Sequence, residues 1–252
     1  MLFLVESFYS FQGEGKFAGT PSIFIRLGGC NLGCVGFGVE TISPKDNSII
    51  VGCDSIRAVH HEHFSQEWHK IEFKEALISE IDQYLEDLNF KPDIVFTGGE
   101  PLLHHENSIL IDTISHFIEL GHRVTFESNA TIFIDFEKYP IYKKVIFAMS
   151  VKLKNSGEAR NKRINFKAIK SIVNNTKESF FKFVLSSSDV NTHEISEISS
   201  HFVDTPIYCM PMGSTAKELA QNDKAVALFC IRKGYSYVDR MHIRLWDNEE
   251  GR

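Results

Sequence analysis

Cys30, Cys34 and Cys53 are the residues of this 252-residue chain whose type and spacing could do chemistry that a packed core does not need. Cys30 and Cys34 bracket Asn31-Leu32-Gly33, and Cys53 opens Cys53-Asp54-Ser55 after an interruption over 35–52. Three thiols in one segment, in a chain with five cysteines, read as a thiolate nest for iron and sulfur. Three thiolates hold three irons of a [4Fe–4S] cluster and leave the fourth open to a small molecule, whereas a structural zinc site closes its shell. Cys209 and Cys230 stand apart and are expected to be small buried hydrophobes.

Other polar groups stand where short apolar runs end. Gln12-Gly13-Glu14-Gly15 places a carboxylate between two glycines; a glycine pair by itself is an ordinary surface turn. Arg26 lies inside the apolar run Ser22 to Leu27, four residues before Cys30, and must leave the core or find an anion. Thr97-Gly98-Gly99-Glu100-Pro101, Glu127-Ser128-Asn129 and Ser150-Val151-Lys152 each follow an apolar segment. His60, His61, His63 and His69 show no closed ligand set and receive no role.

The elements that must position these groups alternate. Strands are expected at Leu2 to Tyr9, Ser22 to Leu27, Pro92 to Phe96, Arg123 to Phe126, Lys144 to Met149, Phe180 to Leu185 and Pro206 to Met210. Between them, helical spacing covers Phe73 to Leu88, Leu110 to Leu120, Thr192 to Ser200 and Ala216 to Ile231. This is a β/α rhythm, so the fold class is α/β with a parallel sheet or partial barrel, and ligands gather at the carboxyl ends of the strands. We read residues 1–252 as one domain, with 35–52 as a hairpin-like insertion and Lys152 to Arg163 as a mobile loop over the open face.

Composition excludes several classes. With 43% hydrophobic residues and 21 phenylalanines the chain has ample core material. A net charge of −6 argues against nucleic acid as a direct partner. No apolar run of about 18 residues suggests a membrane span. Met1 to Val5 lacks the basic start and long apolar stretch of a signal peptide. An odd, clustered set of cysteines fits a reducing compartment, and the expected location is the cytoplasm.

Gly29-Cys30-Asn31-Leu32-Gly33-Cys34 after an apolar strand, with Thr97-Gly98-Gly99-Glu100-Pro101 at the end of a later one, resembles the radical S-adenosylmethionine superfamily. Phe8-Tyr9-Ser10-Phe11-Gln12-Gly13-Glu14-Gly15, Phe24-Ile25-Arg26-Leu27 and Cys53-Asp54-Ser55 are similar to its 7-carboxy-7-deazaguanine synthase branch, over about residues 2 to 213. The usual third cysteine, with two residues after the second, is here Phe37, so Cys53 takes that role. The resemblance implies a partial barrel of the radical S-adenosylmethionine type and a [4Fe–4S] cluster on Cys30, Cys34 and Cys53. It implies S-adenosylmethionine against Gly98, Gly99, Glu100, Ser128, Ser150, Val151 and Lys152, with Met210-Pro211-Met212-Gly213 near the adenine.

It further implies a pterin, 6-carboxy-5,6,7,8-tetrahydropterin, held by Phe11, Gln12, Gly13, Glu14, Arg26 and Thr97, with Arg26 bidentate to its carboxylate. Ser55 stands where the family has a threonine that ligates Mg²⁺. The implied lyase reaction, in queuosine and 7-deazapurine biosynthesis, abstracts hydrogen with a 5′-deoxyadenosyl radical and contracts the ring to 7-carboxy-7-deazaguanine with loss of ammonia. The implied partners are a flavodoxin or ferredoxin as electron donor and a second copy of the chain in a homodimer. A glycyl-radical-enzyme activase of the same superfamily would keep the compact cysteine spacing and lack the Gln12 to Gly15 motif. A non-catalytic iron–sulfur or partner-binding protein would have no reason to keep Glu14, Arg26 and Glu100. Cys53→Ala should abolish uptake of about four irons on anaerobic reconstitution, read by iron count and visible absorption; a normal cluster in that variant would place the third ligand elsewhere.

Overall fold

The computed structural model describes every residue except 1, 192, 248, 250 and 252. Met1 and Thr192, the first residues of two expected segments, therefore lie outside the described residues. Eleven strands are described: β1 (Leu2–Phe11), β2 (Pro21–Leu27), β3 (Val39–Ile42), β4 (Ile49–Gly52), β5 (His69–Ile71), β6 (Asp93–Gly98), β7 (Val124–Ser128), β8 (Ile146–Met149), β9 (Phe180–Leu185), β10 (Ile207–Pro211) and β11 (Ser236–Tyr237). Nine form one sheet in the order β11-β10-β9-β8-β7-β6-β2-β1-β5. From β2 to β11 the neighbours are parallel, and β1 joins β2 and β5 antiparallel. The sheet stays open between its edge strands β5 and β11, as a partial barrel does.

Alternation along each strand sorts the side chains onto two faces. Ile23, Ile25 and Leu27 of β2, Ile94 and Phe96 of β6, Val124 and Phe126 of β7, Phe147 and Met149 of β8, and Phe181, Phe183 and Leu185 of β9 enter one apolar core. The helices Lys74–Asp82, Ser108–Glu119, Phe166–Asn175 and Ala216–Lys233 cover that core with Leu77, Ile81, Leu110, Ile114, Phe117, Ile169, Ile172, Val226 and Phe229. On the opposite face a smaller cluster of Ile146, Ala148 and Phe180, with Phe17 and Tyr208 against it, floors the lumen. Above that floor the same parity brings up Arg26, Thr97, Glu127 and Lys182.

The expected helix Phe73 to Leu88 ends at Asp82. Beyond it Tyr84, Leu85 and Leu88 close short turns on the carbonyls of Ile81, Asp82 and Leu85, and Asp87 takes a left-handed φ of 65° that no α-helix continues. Sequence periodicity did not mark the helix Phe166–Asn175, whose cap is the Asn165 side chain accepting from Ala168 N. The insertion is a hairpin as expected, β3 against β4 in antiparallel register, and it forms a separate two-stranded sheet. Among the described residues no helix is long and apolar enough to cross a membrane.

Residues 152–163, expected to be a mobile loop, are instead tied down from several sides. Arg163 is 3% exposed; its guanidinium donates to the carbonyls of Lys152 and Glu158 and pairs with Glu194 at 2.5 Å. Asn155 Nδ2 donates to Val184 O and to Asp189. A polar run reads as loop because composition does not show such long-range partners. Phe126 carries the core: it is fully buried and packs on Phe96, Phe147 and Tyr142. Phe126→Ala should cost about 3–5 kcal/mol in urea unfolding of the apo chain, whereas a loss below about 1 kcal/mol would mean that the cavity collapses.

Candidate functional site

Leu27 ends β2, and Gly28, Gly29 and the Cys30–Cys34 loop follow directly at the carboxyl edge of the sheet. The turn after β6 packs on that loop. A Cβ at Gly98, whose φ is +139°, would lie 2.1 Å from Leu27 O, and one at Gly99 would lie 2.3 Å from Gly29 O and 2.8 Å from Cys30 Cβ. Glu100 N donates to Gly29 O at 2.8 Å. Both glycines therefore let one turn lie against another.

The three cysteines sense one another electrostatically across this edge. Burial pushes the thiols of Cys30 and Cys34 up to about 12, and raises Cys53 as well. Thiols in such a setting become thiolates only with a cation to bind. Leu32 N donates to Cys30 Sγ at 3.4 Å, a contact of the kind that cluster loops use. Among the described residues no three His, Cys, Asp or Glu side chains converge on a single ion. A [4Fe–4S] cluster needs no such convergence because each thiolate takes its own iron, so the donor set fits the cluster.

Glu100 is not the open acceptor that its position in the motif suggests. Its side chain is fully buried and accepts from Leu102 N at 2.9 Å, Ser128 Oγ at 2.8 Å and Asn129 N at 2.6 Å. Burial still pushes its carboxyl up to about 7. Ser128 donates to Glu100 and accepts from Ala130 N at 2.9 Å, so its hydroxyl ties β7 to the turn. Asn31, Asn129 and Thr131 extend the link, with Asn129 Nδ2 donating to Asn31 Oδ1 and Asn31 Nδ2 to Thr131 Oγ1. Ser150 and Lys152 remain accessible at a small cleft shared with Phe37 and Val151. Lys152 Nζ donates to Ser150 Oγ at 3.0 Å and lies 5.8 Å from the Phe37 ring centroid.

The Gln12–Glu14 turn, Arg26 and Thr97 meet in the lumen beside this edge, together with groups that the sequence did not single out for the site. Glu127 is the hub: it accepts from Gln12 Nε2 at 3.3 Å, Thr97 Oγ1 at 3.1 Å and Lys182 Nζ at 2.9 Å. Lys182, 5% exposed, also donates to Glu14 at 2.8 Å. Burial alone would lower the Lys182 ammonium, but Glu127 and Glu14 outweigh it and hold it above its ordinary range. Arg240 donates to Glu14 at 2.6 Å, to Asp54 at 2.8 Å and to Gly213 O at 2.6 Å. His242 lies over Gly13, where a Cβ would meet its Nδ1 at 1.9 Å. Phe11 stacks on Trp246 at 5.0 Å, so the C-terminal helix Met241–Trp246 seals the strand that leads into the motif. Lys182 had a readable signal, a lone cation in an apolar strand; Arg240 had none.

Arg26 is partly engaged. Its Nε donates to Glu6 at 2.6 Å and its Nη1 to Ser55 Oγ at 3.1 Å. The second Nη1 hydrogen and both on Nη2 stay available, so a ligand carboxylate can still take two hydrogen bonds from this guanidinium. Ser55 also bears on the metal expectation: it offers one neutral oxygen, already against a guanidinium, and neighbouring Asp54 is paired with Arg240. Mg²⁺ keeps several of its waters and takes few protein oxygens, and Ser55 offers it one. Two of the histidines after Cys53 have structural contacts: His63 Nδ1 lies 3.1 Å from Ser43 Oγ in the insertion, and His61 packs edge-on to Trp68.

Three comparisons bear on this arrangement. Residues 11–173 match the family of the 4Fe-4S single cluster domain. The chain is 32% identical to the 7-carboxy-7-deazaguanine synthase of Halobacterium salinarum, over 96% of this chain and 90% of that one. It is 28% identical to the enzyme of the same name from Rhodopirellula baltica, over 99% and 88%. The crystal structure of QueE from Escherichia coli superposes with a TM-score of 0.65 at 18% identity, covering 96% of this chain and 94% of that one, which shows a shared fold.

The buried ion chain makes a pH-dependent prediction. Burial by itself raises the Glu14 carboxyl, but Lys182, Arg240 and His242 hold it well below its ordinary value of 4.5. A carboxyl with a depressed folded pKa stabilises the fold above its unfolded pKa and loses that contribution as pH falls through the folded value. Glu14→Gln should therefore cost about 3–5 kcal/mol at pH 7, with a difference from wild type that shrinks as pH drops below 4.5. Urea midpoints measured against pH check this, and parallel curves for the two proteins would rule it out.

Proposed function

The chain belongs to the 7-carboxy-7-deazaguanine synthase family of [4Fe–4S] enzymes, and on that premise we propose that it contracts 6-carboxy-5,6,7,8-tetrahydropterin to 7-carboxy-7-deazaguanine with loss of ammonia. The observation that carries this reading is the adjacency of two sites at one sheet edge: a three-cysteine loop beside a lumen lined by Gln12, Glu14, Arg26, Thr97, Glu127 and Lys182. Cys30, Cys34 and Cys53 hold the cluster. When bound, the cluster and S-adenosylmethionine supply the hydrogen-abstracting radical that starts the ring contraction.

The chain's own residues bind, orient and enclose. A pterin edge needs both a donor and an acceptor, and the Gln12 amide with the Glu127 carboxylate, 3.3 Å apart, offers both. Thr97 adds a hydroxyl held to Glu127. Glu14 and Lys182 fix the charge of that wall, so its hydrogen-bond pattern is set before a ligand arrives. Arg26 is the carboxylate partner: Glu6 on its Nε balances the charge, and its guanidinium keeps N–H groups beyond those that Glu6 and Ser55 take for a substrate carboxylate. Ser150 and Lys152 line the cleft on the cysteine side and are the polar groups left to hold the cofactor's ribose and carboxylate. Floored by Ile146, Ala148 and Phe180, the lumen excludes water from below. Mg²⁺ remains an expectation of the resemblance at Ser55, and no step is assigned to it.

The electron donor proposed is a flavodoxin or ferredoxin, replaceable in a test by dithionite. Anaerobically reconstituted protein with S-adenosylmethionine, dithionite and the carboxypterin should release the deazapurine and ammonia without net consumption of S-adenosylmethionine. Glu127→Gln should lower kcat/KM roughly 10- to 100-fold with an unchanged iron count, as expected for losing a charged hydrogen-bond partner. Cofactor cleavage with no deazapurine would remove this substrate, and a wild-type rate in Glu127→Gln would remove the lumen as its site.

A further inference from the structure

Residues 33–38 lack the nearby third thiolate that a compact cysteine spacing provides. Phe37 stands in its place, and Cys53 lies beyond the whole hairpin. The loop nevertheless has a defined shape, with Cys34 at a left-handed φ of 50° and ψ of 41°. Such a conformation is costly for a residue with a Cβ and persists where neighbours enforce it. Its neighbours are residues 152–158. A Cβ at Gly36 would lie 2.3 Å from Asn155 O and 2.6 Å from Gly157 N, so the two backbones are in direct contact. Glu158 Oε1 then accepts from both Gly33 N at 2.6 Å and Cys34 N at 2.9 Å, across more than a hundred residues of sequence. Arg163 holds the Glu158 carbonyl, and Ser156 Oγ accepts from Glu158 N, which fixes the carboxylate's own backbone.

We infer that Glu158 is a positioning residue of the cluster: it holds the Gly33–Cys34 backbone so that Cys34 is presented alongside the distant Cys53, and it places a negative charge beside the cluster that makes it harder to reduce. The inference rests on the cluster reading above. Two physical effects act in the same direction. The Cys34 N–H is spent on a carboxylate and is not available to a cluster sulfur, and hydrogen bonds to sulfur raise the potential of such clusters. The carboxylate charge also opposes an added electron at short range. Lys152, the cation on the other side of Phe37, works against it by favouring the thiolates of Cys34 and Cys53.

Two variants separate positioning from charge. Glu158→Gln keeps an oxygen that accepts from both N–H groups but removes the charge. In a redox titration followed by electron paramagnetic resonance without S-adenosylmethionine, it should hold the wild-type iron count and reduce about tenfold more easily, equivalent to about 59 mV for a one-electron couple. Glu158→Ala loses the acceptor too and should release iron to a chelator about tenfold faster than wild type, the usual scale for a lost outer-shell partner. An unmoved potential in Glu158→Gln, or wild-type iron retention in Glu158→Ala, overturns the inference. Wild type that takes up no iron at all overturns the cluster assignment first and this inference with it.

Discussion

A cation in the middle of an apolar strand constrains the rest of this molecule. Lys182 sits among Phe180, Phe181, Phe183 and Val184, and strand alternation turns it away from the helices and into the lumen. An ammonium at that depth is stable only with anions in contact, and it has two, Glu14 from the turn after β1 and Glu127 from β7. Glu14 in turn needs Arg240 to balance it, and Arg240 reaches Asp54, next to the third cysteine. The chain of charges thus links the N-terminal motif, the centre of the sheet, the C-terminal segment and the cluster loop. Removing any one member takes an ion-pair partner from another, so the polar wall of the lumen is rigid for the same reason that it is polar.

The cysteine edge is organised by backbone approach rather than by charge. Gly98 and Gly99 bring the turn after β6 onto Leu27 and Gly29 at distances that a Cβ would forbid. Glu100 and Ser128, which the motif presents as ligand groups, are the internal fastenings of that contact: one carboxylate takes two backbone N–H groups and one hydroxyl, and so joins β6 to β7 below the loop. The 152–163 segment closes the same edge from the other side, through Glu158 and the contact of Gly36 with 155–157.

These two systems share β2. Arg26 and Leu27 are consecutive, so they point to opposite faces, and the pairing of Arg26 with Thr97 and of Leu27 with Gly98 sets lumen and cluster shelf in one register. A slip of one residue would bury Arg26 among the helices and expose Leu27. Lumen wall and cysteine loop are therefore not independent modules. Their spacing is a property of one pair of parallel strands.

The sequence by itself determined much of this. Period-two apolar runs separated by helical spacing dictated an α/β sheet, because those periods are local and each strand carries its own. The three cysteines, the glycine turn and the lone cation of β2 were legible from residue type, since few side chains can ligate iron, allow backbone contact or demand an anion. The hairpin of 35–52 was legible from its turn residues and β-branched run. What only the tertiary structure decided is which polar groups are free and which are spent. Glu100 and Ser128 are committed internally, Arg26 is partly taken by Glu6 and Ser55, and Glu127, Lys182 and Arg240 enter the site from positions far apart in the chain. The segment 152–163 is fixed by Arg163 and Glu158 although its composition is that of a loop. The physical reason is common to all of these: hydrogen bonds and ion pairs between residues distant in sequence leave no local period or spacing, and become visible only when the sheet brings their strands side by side.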